Sequence, residues 1–259
     1  AFWRAIMNNE MPATHHIRAL RLVWQEAFGE SSEYLDTFFG TAFHPNRCRI
    51  ALENDSPIAA LYWFDCSMQG KPYAYLYAIA TAASHKHQGV CHKLIEATHS
   101  ELTSLGYYGA LLVPGSPSLF DFYKTMGYET TCFIKEYTCN ATVADIPMER
   151  ITKEKFKELR KTYLPKLGIL QEDANLDFLE EQATFYAGQN FLLTARKEKN
   201  ILLGLELLGD TSLAPALAYS LGFQKGCFRS PGKEKPFAMY HSFSESVTEP
   251  PSYFCFAFD

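Results

Sequence analysis

The sequence contains no C-x-x-C pair and no cysteine–histidine cluster at metal-ligand spacing. Its seven cysteines (Cys48, Cys66, Cys91, Cys132, Cys139, Cys227 and Cys255) are scattered and odd in number. That argues against a disulfide framework and a structural zinc site, and no metal is expected. The thiols read instead as reduced, half-buried small hydrophobes. Positive charge is also scarce, with 24 lysines and arginines against 29 aspartates and glutamates and a net charge of −5. A protein whose main work is gripping nucleic acid or an anionic membrane is thereby disfavoured, although a small basic pocket for a phosphate-bearing ligand is not. The longest apolar run, around Ala74 to Ala83, falls far short of the ~18 residues of a membrane span. The opening AFWRAIMNNE has neither an initiating Met nor the apolar stretch of a signal peptide. Residues 1–10 are therefore set aside from fold reasoning, and a soluble cytoplasmic protein with no membrane or nucleic-acid partner is expected.

What is present suits a folded chain. Of 259 residues, 47% are apolar and 20% charged, enough to build a core. The length fits one large domain or two small ones.

Thr14 is a plausible N-cap for a helix carrying Ile17, Leu20, Trp24, Ala27 and Phe28 and closed by Gly29. A second short helix follows Ser31 or Ser32, with Leu35, Phe38 and Phe39 facing inward. Three extended segments, 48–53, 57–67 and 72–81, are separated by turns at Asn54-Asp55 and Gln69-Gly70 and read as an antiparallel meander. Val90, Leu94, Ala97, Thr98, Leu102 and Leu105 then form a helical stripe stopped by Gly106. A buried-type strand spans 109–113, and Ser116-Pro117 starts a helix that ends at Gly127. A strand over 129–137 completes an α+β domain on one mixed sheet. Residues 138–150 read as a connector. Beyond it, Phe156, Leu159 and Tyr163 mark one helix, and Leu176, Leu179, Ala183 and Tyr186 another. Strands are expected at 191–196, 201–208, 224–228, 236–243 and 253–258, with a helix near 212–221. The basic run FRSPGKEKPF (228–237) reads as a solvated hairpin loop.

The two halves echo each other. GSPSLFDFYKTMGYETTCF (115–133) parallels GDTSLAPALAYSLGFQKGCF (209–228) with one inserted residue. Ser118-Leu119 matches Ser212-Leu213, Gly127-Tyr128 matches Gly222-Phe223, and Cys132-Phe133 matches Cys227-Phe228. The order helix–helix–strand–strand recurs before each copy, which points to a duplicated fold whose second copy is shortened.

The chemistry concentrates in YLYAIATAASHKHQGVCHKLIEA (75–97), where a strand turns directly into a helix with Gly89 at its start. The first N–H groups of a helix lack intrahelical partners and sit at its positive pole. Such an end binds phosphate oxygens, and glycine lets them approach closely. Lys86 and the flanking His85 and His87 add positive charge. Read alone, this segment fits an anion site and an ordinary capped connection about equally.

KHQGVC (86–91) resembles the acetyl-CoA signature of the GNAT N-acetyltransferases, Arg/Gln-x-x-Gly-x-Gly/Ala, behind the hydrophobic strand 75–81. The FY-x-x-x-GY ending of GALLVPGSPSLFDFYKTMGY (109–128) is similar to the tyrosine motif of that family. The departures are Lys86, where Arg or Gln is usual, and Cys91, where Gly or Ala is usual. The resemblance implies a GNAT acyl-CoA N-acyltransferase fold, with a complete domain over 12–137, the connector 138–150 and a degenerate domain over 151–259. This is the tandem layout of Eis-type acetyltransferases without their extra C-terminal domain.

The resemblance also implies roles. Backbone amides of Lys86, His87, Gln88, Gly89, Val90 and Cys91 would cradle the pyrophosphate of acetyl-CoA. The strand edge at Ile79, Ala80 and Thr81 would pair with its pantetheine arm. Tyr123 would be the general acid that protonates the departing CoA thiolate. A phenol near ~10 and a thiol near ~8.5 are well matched for that transfer, although by pattern alone Tyr123 sits among Leu119, Phe122 and Met126 as a core aromatic. Asp65, Glu136 and the terminal Asp259 are candidates for the base that deprotonates the acceptor, and the pattern does not choose among them. Trp63, Tyr62, Tyr75, Tyr77 and Phe133 are candidate walls of an acceptor pocket, about half of them expected in the core by strand alternation. The implied activity is acetyl transfer to a primary amine of a small molecule or protein by direct attack. The alternatives are a CoA-binding module without catalysis and transfer of another short acyl group.

Overall fold

The computed structural model describes residues 6–259, with side chains from residue 9 onward. Residues 1–5, part of the segment set aside above, lie outside the described residues. The chain divides into two compact units. The first comprises the described residues up to Cys66, then Gly70–Glu129 and Tyr240–Thr248; the second comprises Ser67–Gln69, Thr130–Met239 and Glu249–Asp259.

In the first unit β1 (Ile6–Glu10) precedes α1 (Ile17–Phe28) and α2 (Ser32–Thr41), followed by β2 (Cys48–Glu53), β3 (Ser56–Met68) and β4 (Lys71–Thr81). Then come α3 (Val90–Ser104), β5 (Gly109–Leu112) and α4 (Pro117–Lys124). Asn54 and Asp55 both take positive φ, at 51° and 60°, and so do Gln69 and Gly70, at 52° and 76°. These are the two-residue turns whose twist suits a hairpin. β2 pairs antiparallel with both β1 and β3, whereas β4 and β5 are parallel, pairing at Ala74↔Ala110 and Tyr75↔Leu111. The sheet is therefore mixed, as the α+β expectation required. Strand β1 arises from residues that the sequence reading had set aside. On the far side of β5 runs Tyr240–Ser242, the end of a late strand.

Helix α1 does not use Thr14 as its cap. The exposed Thr14 begins a short 3-10 turn. His16 does the capping, its Nδ1 accepting the Ala13 N–H at 3.1 Å while its own N–H donates to Ala13 O at 3.0 Å. Ser31 caps α2 as expected, accepting the Tyr34 N–H at 3.1 Å. The core between these helices and the sheet is aromatic, with Trp24 against Phe38 (4.7 Å between ring centroids), Tyr62 (5.1 Å) and Tyr77 (5.6 Å). At the other side Gly109 leaves room for the late strand, because a Cβ there would stand 2.6 Å from His241 O.

The second unit contains β6 (Glu129–Asn140, from Thr130), β7 (Glu149–Arg150), α5 (Lys153–Tyr163), β8 (Leu170–Gln171) and α6 (Ala174–Glu180). It continues with β9 (Thr184–Gly188), β10 (Phe191–Glu198), β11 (Ile201–Gly209), α7 (Ala214–Ser220), β12 (Lys225–Pro231) and β13 (Lys235–Ser242, to Met239). Its strands run in the order β13-β6-β12-β11-β10-β9-β7, with β11 and β12 parallel. The basic run 228–237 is accordingly no hairpin, since β6 lies between β12 and β13. The connector is partly strand, because β6 extends to Asn140 and Glu149–Arg150 pairs with β9.

Two further expectations fail for identifiable reasons. Ala183 and Tyr186 do not continue the helix of Leu176 and Leu179; residues 184–188 alternate in burial and pair with β10. Residues 253–258 are buried but are not a strand, apart from one bridge at Tyr253. Side chains meet the tail's backbone groups instead. Gln171 accepts the Phe256 N–H at 3.1 Å and donates to Phe256 O at 2.8 Å. Beneath the tail, Arg160 and Glu206 form a fully buried bidentate pair at 2.7 and 2.9 Å, joined by the Tyr253 hydroxyl at 2.9 Å.

The sequence repeat is also a repeat of hydrogen bonds. Tyr128 N–H donates to Tyr123 O, and Phe223 N–H to Ala218 O. Gly127 N–H donates to Lys124 O, and Gly222 N–H to Tyr219 O. Both glycines are left-handed, at φ 80° and 83°. In this register the position of Tyr123 is held by Ala218 and that of Tyr128 by Phe223.

Candidate functional site

The site begins where β4 leaves its neighbour. β5 ends at Leu112, and its pairing with β4 involves Ala74 and Tyr75, so Ile79, Ala80 and Thr81 lie beyond any β5 partner. Ala78 has φ 49°, a conformation alanine enters only at a cost, and it re-aims the strand just before those three residues. The Ala82 N–H then donates to Ile58 O and the Ala83 N–H to Glu26 Oε2, both at 2.8 Å, fixing the chain as it leaves the strand.

From there Lys86, His87, Gln88 and Gly89 form an exposed turn leading into α3. Gly89 is the N-cap residue at φ 76°, with no side-chain cap. A Cβ placed on it would meet nothing within 4 Å. His87 is also left-handed, at φ 62°. Such alternation turns successive N–H groups toward one side, making a concavity that favours anions. Among the described residues, the N–H groups of His87, Gln88 and Gly89 find no backbone acceptor. Those of Val90, Cys91 and His92 open the helix, whose first backbone bond outside the turn is Lys93 N–H to Gly89 O at 3.1 Å. The Lys86 N–H is directed at Ala83 O, at 3.4 Å, so its side chain is its freer contribution. No acidic residue occupies the first turn. These features fit a pyrophosphate.

Tyr123 stands across from this turn on α4, 7% exposed. Its hydroxyl has no hydrogen-bond partner among the described residues. Burial raises its pKa well above that of a free phenol, and the nearby Cys91 raises it further. The Cys91 thiol, pushed up to about 11 by burial, faces the hydroxyl of Thr81. The first unit thus brings together the end of β4, the first turn of α3 and the tyrosine of α4, three segments that the sequence related only by order.

Behind Tyr123 lies a network that sequence reading missed. The Tyr128 hydroxyl and His99 Nε2 share a hydrogen bond of 2.6 Å, and the His241 ring stacks on His99 at 4.6 Å and 11°. Tyr128 was visible only as the end of the FY-x-x-x-GY motif. Burial, reinforced by His241, lowers the His99 pKa to about 3, against ~6.5 for a free imidazole. Between those values the unfolded chain takes up a proton that the folded chain refuses. This stabilisation is full above pH ~6.5 and is lost as pH falls through the window toward 3. Thermal melting between pH 7 and 4 is expected to fall less steeply for His99→Gln than for the native chain; equal slopes would remove His99 as the cause.

The carboxylates have other commitments. Asp65, at the exposed end of β3, meets Arg47 at 3.2 Å and the Tyr107 hydroxyl at 2.5 Å. Glu136 and Asp259 belong to the second unit and share Arg229, at 3.1 Å and at 2.6–2.7 Å. Burial opposes ionisation of both, yet Lys235 and Arg229 hold Glu136 below the usual range, and Arg229 does the same for Asp259. That is the wrong direction for a base. Of the proposed acceptor walls in the first unit, Tyr62, Trp63 and Tyr75 are core residues, while Tyr77 is half-buried with its hydroxyl 2.5 Å from that of Tyr34.

His15, His16 and Asp55 gather their ligand atoms within 4.8 Å. His16 Nδ1 already accepts the Ala13 N–H, however, so in the neutral ring Nε2 carries the proton and points it at Asp55, 3.2 Å away. This trio is a clip between the start of α1 and the β2–β3 turn. Among the described residues, no helix is long and apolar enough to cross a membrane.

Known proteins resemble this chain over part of its sequence and in its fold. Residues 12–131 match the family model of the acetyltransferase (GNAT) domain. No curated protein matches the chain in sequence. Among solved structures, a GCN5-related N-acetyltransferase from Anabaena variabilis superposes with a TM-score of 0.73 at 14% identity, covering 92% of this chain and 73% of that one. The corresponding protein from Kribbella flavida gives 0.72 at 12% identity, covering 91% and 70%. Eis1 from Mycobacterium abscessus gives 0.66 at 11% identity, covering 93% and 74%. At these identities the likeness is one of fold, and it extends through both halves of the chain.

Proposed function

We propose, from the match of residues 12–131 to the acetyltransferase (GNAT) domain model, that the chain transfers an acetyl group from acetyl-CoA to a primary amine in a ternary complex. The observation that carries this reading is the open first turn of α3, led by left-handed Gly89 with no side-chain cap and no acidic residue, with the buried Tyr123 close enough to Cys91 to be influenced by its charge.

In this reading the amides from His87 to Cys91 hold the pyrophosphate, with Lys86 adding charge, and the free edge at Ile79, Ala80 and Thr81 pairs with the pantetheine arm. Acetyl-CoA supplies the activated acyl group. The amine nitrogen attacks the thioester carbonyl carbon, the C–S bond breaks, and the Tyr123 hydroxyl gives its proton to the leaving sulfur. The raised pKa keeps Tyr123 protonated at neutral pH, and the same dry surroundings raise the proton affinity of the thiolate. Most of the acceleration comes from holding amine and thioester together.

The acceptor class is a small-molecule or protein amine, and the net charge of −5 suits a cationic one. All seven cysteines are unpaired thiols, which supports a reducing, cytoplasmic setting. The domain division of this reading keeps 12–137 as the catalytic part and 151–259 as its degenerate relative. Ala218 and Phe223 at the tyrosine positions support a single acid per chain.

The test is calorimetric titration with acetyl-CoA, followed by thiol release in a panel of polyamines, aminoglycosides, amino-acid derivatives and peptides. Binding, with thiol release above background for at least one amine, is expected. Binding without transfer to any of them would reduce the protein to a CoA-binding module.

A further inference from the structure

Tyr123 stands in a demanding place for a group that must aim a proton. Helix α4 has only eight residues, and Tyr123 is the last but one. The last turn of a helix lacks part of its hydrogen-bond ladder and frays first. Here that turn is clamped. The Tyr128 N–H donates to Tyr123 O at 3.2 Å, and the two phenol rings meet edge to face, 5.8 Å apart and inclined at 66°. Tyr128 is also held at its far end, where its hydroxyl and His99 Nε2 lie 2.6 Å apart and buried. The His241 ring covers His99 face to face, and its Nδ1–H donates to Gly127 O at 2.9 Å. A Cβ on Gly127 would stand 3.0 Å from that ring, so glycine lets the histidine close on the turn. In the second unit the corresponding turn keeps its backbone bonds. With Ala218 and Phe223 at the two tyrosine positions, it has neither the phenol nor the hydroxyl lock.

We propose that His99 is a positioning residue for Tyr123: by fixing the Tyr128 hydroxyl, it fixes the ring against which the Tyr123 phenol is aimed. The proposal rests on the reading of Tyr123 as the acid that protonates the leaving sulfur. In that reading His99 touches neither cofactor nor acceptor and acts only through Tyr128. Tyr128 is anchored by its N–H at one end and its O–H at the other, so its ring cannot swing sideways without breaking one of them. Both partners of the O–H bond are buried, and leaving either unpaired there is costly, which keeps the bond closed. With that bond removed, the ring and the last turn of α4 relax together. A reacting group displaced by about 1 Å loses up to about a hundredfold in rate.

The experiment compares kcat and the acetyl-CoA dissociation constant of the native protein, His99→Gln, His99→Leu and Tyr128→Phe, with one active amine. Glutamine reaches the place of an imidazole Nε2 and can donate or accept there, whereas leucine can do neither. In His99→Leu and Tyr128→Phe kcat should fall about tenfold, and in His99→Gln it should stay within about threefold of native. Dissociation constants should stay within about twofold throughout. A merely structural histidine would lower the melting temperature of both His99 variants without separating their rates. Equal kcat in His99→Gln and His99→Leu, or native kcat in Tyr128→Phe, overturns the proposal while leaving Tyr123 as the acid. If Tyr123→Phe keeps the native rate, the reading of Tyr123 itself falls, and this proposal with it. NMR of protein labelled in its tyrosine rings gives a readout that needs no acceptor. The Tyr123 signals, identified by their loss in Tyr123→Phe, should report a restrained ring in the native protein and His99→Gln and a more mobile one in His99→Leu. Tyr128→Phe takes the place of His99→Leu if the latter does not fold. The same Tyr123 mobility in all three proteins overturns the proposal.

Discussion

Tyr123→Phe is expected to lower the acetyl-transfer rate about a hundredfold while leaving acetyl-CoA affinity within about twofold. The substitution removes one oxygen from a ring that stays packed between Phe122 and Tyr128. Nothing in the protein loses a hydrogen bond, since that hydroxyl has no partner among the described residues. A structural role would therefore leave both rate and stability almost unchanged, and only proton donation predicts a large fall in turnover alone. The pH dependence sharpens the distinction. An acid must be protonated to act, and burial raises this phenol above its ordinary range. The native rate should accordingly show no decline from loss of the acid up to about pH 10. Steady-state kinetics of both proteins across pH 6–10 with one active amine provide the check, and equal turnover would remove Tyr123 from the mechanism.

Gly89→Phe is expected to abolish acetyl-CoA binding, a weakening of about a hundredfold or more, while Gly89→Ala weakens it by a few-fold. Two effects separate these variants. Any side chain at φ 76° is strained by roughly 1–2 kcal/mol, so alanine shifts the turn slightly. A Cβ itself meets no protein atom within 4 Å, so the fold does not forbid the substitution sterically. The open space lies over the amides of the first turn, and a phenyl ring there covers the surface that phosphate oxygens must approach. Calorimetry with acetyl-CoA, alongside a thermal melt showing that Gly89→Phe stays folded, decides the matter. Unchanged binding would mean that the turn is not the phosphate site.

Local chemistry made much of this architecture legible in advance. The turns at Asn54-Asp55 and Gln69-Gly70 were readable because residues tolerant of positive φ sit between alternating apolar runs. The glycine-led turn into α3 was readable because Gly89 falls between a strand and a helical stripe. What stayed hidden depends on partners distant in sequence. Residues 184–188 look helical until β10 offers them a ladder, and the apolar tail 253–258 reads as a strand because nothing nearby reveals that Gln171 will serve its backbone. The His99–Tyr128 pair joins residues 29 apart on different elements. Cys91 was visible as a departure from a motif, but its neighbours Thr81 and Tyr123 emerge only when β4, α3 and α4 meet.

Strand β5 has a consequence for the order in which the protein can be made. One of its two neighbours, Tyr240–Ser242, leaves the ribosome some 130 residues after β5 itself. Until then the nascent first unit holds a strand with one bare edge, a template for wrong pairing. Final closure is a long-range event that must wait for nearly the whole chain. A fragment cut at the end of the matched domain, residue 131, would carry that bare edge permanently, even though Ile79–Thr81, Lys86–Cys91 and Tyr123 are all present in it.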